Sequence, residues 1–127
     1  MKSKILYIDD EIENLESFNM TFWKFYDIRL ALSTSEAESF MRQEDIELVI
    51  SDQKMTDETG LEFIKRIKND FPFTLFILLT AYSDMDVVIE AINIGIDRYI
   101  QKPWDYNELK HAIDNALEKS SFKKEKR

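Results

Sequence analysis

Five residues of this 127-residue chain are of the types that handle phosphate and divalent metal, and each stands just beyond a short apolar run. Asp9 and Asp10 follow the run 5–8, Asp52 follows 48–50, Thr80 follows 75–79 and Lys102 follows 98–100. Three carboxylates brought into one crevice repel one another, so such a site needs a cation or must keep a proton. Mg²⁺ is the economical answer, because it takes oxygen ligands, usually only one or two carboxylates, and completes its shell with water and phosphate oxygens. The Lys102 ammonium could neutralise charge on an incoming phosphate, and the Thr80 hydroxyl could donate to the same oxygens. Taken singly, these residues have commoner roles: Asp10 as a helix cap, Asp9 as a solvated neighbour, Asp52 as a loop acid. Only their convergence on one edge favours chemistry.

That convergence depends on the elements. Apolar runs and amphipathic stretches alternate five times, the pattern of a parallel sheet with crossover helices, so the expected fold class is α/β, a (βα)5 doubly wound parallel sheet. Polar caps followed three residues on by an acid mark the helix starts at Asp10/Glu13, Ser33/Glu36, Thr59/Glu62, Ser83/Asp86 and Asp105/Glu108. Gly95 suits a helix C-terminus, and Pro72 marks the connection before the fourth strand. The first, third and fourth runs are almost wholly apolar, as central strands are, whereas the second carries Arg29 and the fifth is short and flanked by Asp97 and Gln101. With right-handed crossovers, edges at strands two and five give the flavodoxin-like order 2-1-3-4-5. Its switch point lies between strands one and three, where Asp9, Asp10 and Asp52 leave the sheet.

Composition narrows the function classes. A chain of this length makes one domain, burying roughly two-thirds of the surface its unfolded form exposes. The absence of cysteine excludes disulfides, thiolate catalysis and cysteine-ligated metals, and is compatible with the reducing cytoplasm expected for it. A net charge of −8 argues against direct nucleic-acid or anionic-membrane binding, and no run reaches the length of a membrane span. We expect a domain over residues 1–120 and a basic tail or linker start over 121–127. His111 reads as a residue on the face of the last helix.

Four segments resemble, in order, the signature blocks of the response regulator receiver family: Ile8-Asp9-Asp10-Glu11, Ser51-Asp52-Gln53-Lys54-Met55, Leu79-Thr80-Ala81-Tyr82 and Tyr99-Ile100-Gln101-Lys102-Pro103. The resemblance spans residues 4 to about 118. It implies that Asp52 accepts a phosphoryl group from a phosphohistidine of a sensor kinase or phosphotransfer protein. Asp10 and Asp52 would bind Mg²⁺ directly, Asp9 largely through water, with the Lys54 carbonyl as a further ligand. Lys102 would pair with the phosphate and Thr80 would move to hydrogen-bond it. Tyr99 would be the switch aromatic that turns inward behind Thr80. The bond before Pro103 is expected to be cis. A second copy or an output partner would dock through the fourth helix, fifth strand and fifth helix.

Some positions depart from the commonest family pattern. Thr56 stands where a proline usually follows the methionine, and is expected to touch no ligand. Lys54 and Tyr82 flank the phosphate position and are expected to set the lifetime of the phosphoryl group, a bulky Tyr82 obstructing the attacking water. Trp104 is expected to pack at the end of the fifth strand, with Asp105 capping the last helix. Three other readings compete with this one. A flavin or nucleotide protein of this topology would not present Asp9-Asp10-Glu11 to phosphate, and a haloacid dehalogenase phosphatase would need Asp-x-Asp where Asp52-Gln53-Lys54 stands. The third is a receiver-like interaction module that no longer takes phosphate.

Overall fold

The computed structural model describes residues 2–81 and 84–125. Strands β1 (Lys4–Ile8), β2 (Asp27–Ala31), β3 (Leu48–Asp52), β4 (Leu75–Thr80) and β5 (Arg98–Gln101) alternate with helices α1 (Ile12–Phe22), α2 (Thr34–Gln43), α3 (Gly60–Ile67), α4 (Met85–Ile94) and α5 (Tyr106–Glu125). The strands pair in parallel in the order β2-β1-β3-β4-β5, so the expected architecture holds.

Strand periodicity divides the core in two. Ile5 and Tyr7 of β1, Leu48 and Ile50 of β3, and Leu75, Ile77 and Leu79 of β4 face α1 and α5. Leu6, Ile8, Val49, Phe76 and Leu78 face the other way, against α2, α3 and α4. Strands buried on both faces must be apolar at successive positions, which is why the central runs do not alternate. On the first face Tyr7 stacks on Phe18 with ring centroids 4.2 Å apart and planes 6° from parallel. Burying a ring like Phe18 is worth about 2–3 kcal/mol, so β1 and α1 are held as one unit.

Edge strand β2 accommodates Arg29 by pairing its guanidinium with Glu44 at 2.7 Å and Asp27 at 2.7 Å. The helix starts are mostly as expected. Thr59 and Glu62 form a complete capping box, Ser33 Oγ accepts from the Glu36 amide, and Asp105 accepts from the Glu108 amide. Two differ. Helix α1 is capped by Glu11 without a side-chain bond, because Asp10, the expected cap, turns instead toward the loop after β3. Helix α4 begins after Asp84, and the expected cap Ser83 lies outside the described residues. Gly95 ends α4 in the left-handed region at φ 85°, as a helix C-terminus often requires. Trp104 packs against Phe22, with centroids 5.7 Å apart. Helix α5 continues through Glu125, so the first part of the basic segment prolongs the helix.

Candidate functional site

The register of β1 on β3 pairs Ile8 with Ser51, so the next residues, Asp9 and Asp52, leave adjacent strands side by side. Asp9 shares the α1/α5 face with Tyr7, two positions earlier, and Asp52 shares it with Ile50. Both acids are buried, Asp9 at 0% exposure and Asp52 at 6%. Ligand oxygens of Asp9, Asp10 and Asp52 lie within 4.8 Å of one another.

Lys102 reaches this cluster from the far side of the sheet. Its amide donates to the Thr80 carbonyl at 2.8 Å, fixing the turn out of β5, and the following bond to Pro103 is cis. Its Nζ lies 3.2 Å from Asp52 Oδ1 and 3.8 Å from Asp9 Oδ2. One ammonium faces two buried carboxylates. Burial, followed by the Asp9 charge, raises the pKa of Asp52 above the ordinary aspartate value, and Lys102 offsets this only in part.

Asp9 has little freedom. Oδ1 accepts from the Glu11 amide at 3.0 Å, while Oδ2 accepts from Asn14 Nδ2 at 3.0 Å and from the Tyr7 hydroxyl at 3.4 Å. Burial and the Asp9 and Asp52 charges raise the Tyr7 pKa, so Tyr7 stays a protonated donor. Asp10 Oδ2 accepts from both the amide and the hydroxyl of Thr56, at 3.1 and 2.9 Å. The expectation that Thr56 touches no candidate ligand is therefore overturned: the loop after β3 folds back far enough to meet Asp10.

Thr80 ends β4 fully buried, and its hydroxyl has no hydrogen-bond partner among the described residues. A buried hydroxyl without a partner costs about 1–3 kcal/mol, so it is poised to accept one. Tyr99 lies on β5 and is 41% exposed. Lys54 is exposed in the loop after β3, and Tyr82 lies outside the described residues.

Gln53 holds the loop that follows Asp52. Its amide donates to Leu79 O, its carbonyl accepts from Gly60, and its Oε1 accepts from Leu61 at 2.9 Å. Gly60 lets α3 approach closely, since a Cβ there would stand 2.4 Å from the Asp52 carbonyl oxygen. Tyr7, Asn14, Gln53, Thr56 and Gly60 thus support the acids, though sequence reasoning did not assign them that part. The only signal for Tyr7 was its two-residue offset from Asp9.

Similarity to known proteins extends over nearly the whole chain. The chain matches the family described as the response regulator receiver domain over residues 5–114. It is 26% identical to the hydrogenase transcriptional regulatory protein HoxA of Bradyrhizobium diazoefficiens, a match covering 98% of this chain and 26% of that protein. It is 29% identical to the response regulator protein PilR of Pseudomonas aeruginosa, over 91% of this chain and 26% of that protein. The chain therefore spans about a quarter of the length of these curated relatives. Among solved structures, the signal receiver domain of an HD domain-containing protein from Pseudomonas fluorescens is 31% identical with a TM-score of 0.90, covering 95% of this chain and 98% of that one.

Proposed function

The chain belongs to the response regulator receiver domain family, and from that membership we propose that it is a phosphoacceptor switch: Asp52 takes a phosphoryl group from a phosphohistidine of a sensor kinase or phosphotransfer protein, in the cytoplasm. One observation carries this reading. Two buried acids on adjacent strands share a single lysine, and a third acid stands within reach of both.

The donor set fits Mg²⁺. It is all oxygen, and three carboxylates against one ammonium leave excess negative charge for a divalent ion to balance. Asp10 and Asp52, with the Lys54 carbonyl, would hold the ion, and Asp9 would act largely through water. Mg²⁺ when bound supplies charge neutralisation on the phosphoryl oxygens. The chain's own residues do the rest by positioning. A carboxylate oxygen of Asp52 forms a bond to phosphorus as the N–P bond breaks, its electron pair going to the departing imidazole nitrogen, which takes a proton from solvent. Lys102, which faced the Asp52 carboxylate, then pairs with the phosphoryl oxygens.

Thr80 donates its buried hydroxyl to those oxygens, and Tyr99 turns inward behind it. The face that changes is α4, β5 and α5, where Met85, Ile89 and Ile92 of α4 are also exposed. A second copy or an output partner docks there. Water later cleaves the acyl phosphate and restores Asp52, with Lys54 and Tyr82 setting its access. No described helix is long and apolar enough to cross a membrane.

Beryllium fluoride with Mg²⁺, a mimic of a phosphoryl group on a carboxylate, tests the relay. It is expected to bind both wild type and Thr80→Val, and to slow amide exchange across residues 80–110 only in the wild type. Unchanged exchange in the wild type, or an equal response in Thr80→Val, would remove the Thr80–Tyr99 step. The variant itself is expected to be at least as stable as the wild type, because it deletes a buried hydroxyl that has no partner among the described residues.

A further inference from the structure

Thr56 is the only residue among those described that donates hydrogen bonds to the Asp10 carboxylate. Both bonds fall on one oxygen: the amide reaches Oδ2 at 3.1 Å and the hydroxyl reaches it at 2.9 Å. Oδ1 accepts none. A carboxylate tethered in this way has one oxygen committed to the loop and one free, with its rotation about the side chain already restricted. Resting on the Mg²⁺ reading of the site, we infer that Thr56 is a positioning residue for the metal, acting through Asp10.

Two effects compete. Hydrogen bonds draw electron density from a carboxylate and so weaken it as a ligand. They also remove the rotameric freedom that Asp10 would otherwise lose on binding. The second outweighs the first if Oδ1 is the oxygen that meets the ion, because both donors share Oδ2. Partners of this kind orient ligands, and their removal typically costs tenfold or more in metal affinity. Thr56 sits beside a cleft of about 330 Å³ that it shares with Asp10, Ser33 and Thr34. It is exposed, so its hydroxyl can be removed without disturbing the core.

Isothermal titration calorimetry with MgCl₂ on the whole chain tests the assignment. Thr56→Val keeps the shape and the amide donor but deletes the hydroxyl, and is expected to weaken Mg²⁺ binding about tenfold. Thr56→Ser restores the hydroxyl and is expected to bind nearly as tightly as the wild type. Thermal denaturation in EDTA, unchanged in both variants, confirms that they fold. A folded Thr56→Val that binds Mg²⁺ as tightly as the wild type, or more tightly, overturns the inference and leaves the site reading intact. A folded wild type that binds no Mg²⁺ overturns both.

Discussion

Replacing Gly60 by alanine is expected to destabilise the protein by about 3 kcal/mol, the upper end for one inserted methyl in a close-packed region. The new Cβ would stand 2.4 Å from the Asp52 carbonyl oxygen, 2.8 Å from Ser51 Oγ and 2.9 Å from Leu78 Cδ1. The serine and leucine side chains can shift, but the first contact is backbone. Relieving it means moving either β3 or the start of α3, and the two are tied together by the bonds that the Gly60 and Leu61 amides donate to Gln53. Alanine is the better helix former by up to about 1 kcal/mol, which the clash outweighs. For a domain of this size the loss corresponds to roughly 10 °C in Tm. Because the displaced group is the Asp52 peptide, Mg²⁺ affinity should fall as well. A calorimetric Tm equal to that of the wild type would mean that α3 can retreat without cost.

Asp52→Asn is expected to stabilise the metal-free protein at pH 7 by about 1 kcal/mol, a typical size for a single substitution. Burial first, and then the Asp9 charge, put the folded pKa of Asp52 above its unfolded value, despite Lys102. A raised carboxyl pKa means that the folded state binds the proton more tightly than the unfolded chain does. The resulting stability is fully present below the unfolded pKa and is lost as pH rises through the folded one. At neutral pH the wild type therefore carries a charge that folding disfavours. Asparagine keeps the shape without that charge. In EDTA the advantage of the variant should shrink as pH falls through the raised pKa. Saturating Mg²⁺ should reverse the order, since binding to the folded state alone adds about 2.7 kcal/mol at one hundred times Kd. Urea melts at several pH values, with and without Mg²⁺, check both statements. A variant less stable than the wild type in EDTA at pH 7 would show that the Lys102 pair outweighs burial and Asp9 together.

What could be read from sequence was whatever depends on period and order. The strand sequence of β3 ends in Asp52 because an apolar run stops there, and Arg29 marks an edge because a covered strand has no room for a guanidinium. Those two facts put Asp9 next to Asp52 before any coordinate is known. Contacts across loops were not legible. Thr56 reads as a departure from the commonest family pattern that touches no ligand, and only the path of its loop brings it to Asp10. The expected cap at Asp10 failed for the same reason: its carboxylate is drawn to Thr56, while Asp9 takes the Glu11 amide. Tyr7 within an apolar run reads as core, which it is, and its hydroxyl contact with Asp9 follows from strand parity alone. Of the two glycines, Gly95 showed its role by position at a helix end. Gly60 needed the third dimension, because what it avoids belongs to β3 and β4.

The most direct test of the phosphoacceptor assignment is the intact mass of the chain after incubation with small phosphoryl donors, acetyl phosphate and phosphoramidate, in Mg²⁺. The wild type is expected to gain the mass of one phosphoryl group, to lose that gain when EDTA replaces the metal, and to release the group to hydroxylamine as an acyl phosphate does. Asp52→Asn is expected to gain nothing. A folded wild type that gains no mass with either donor, or a gain that survives in Asp52→Asn, would contradict the assignment and leave a receiver-like module that acts by binding alone.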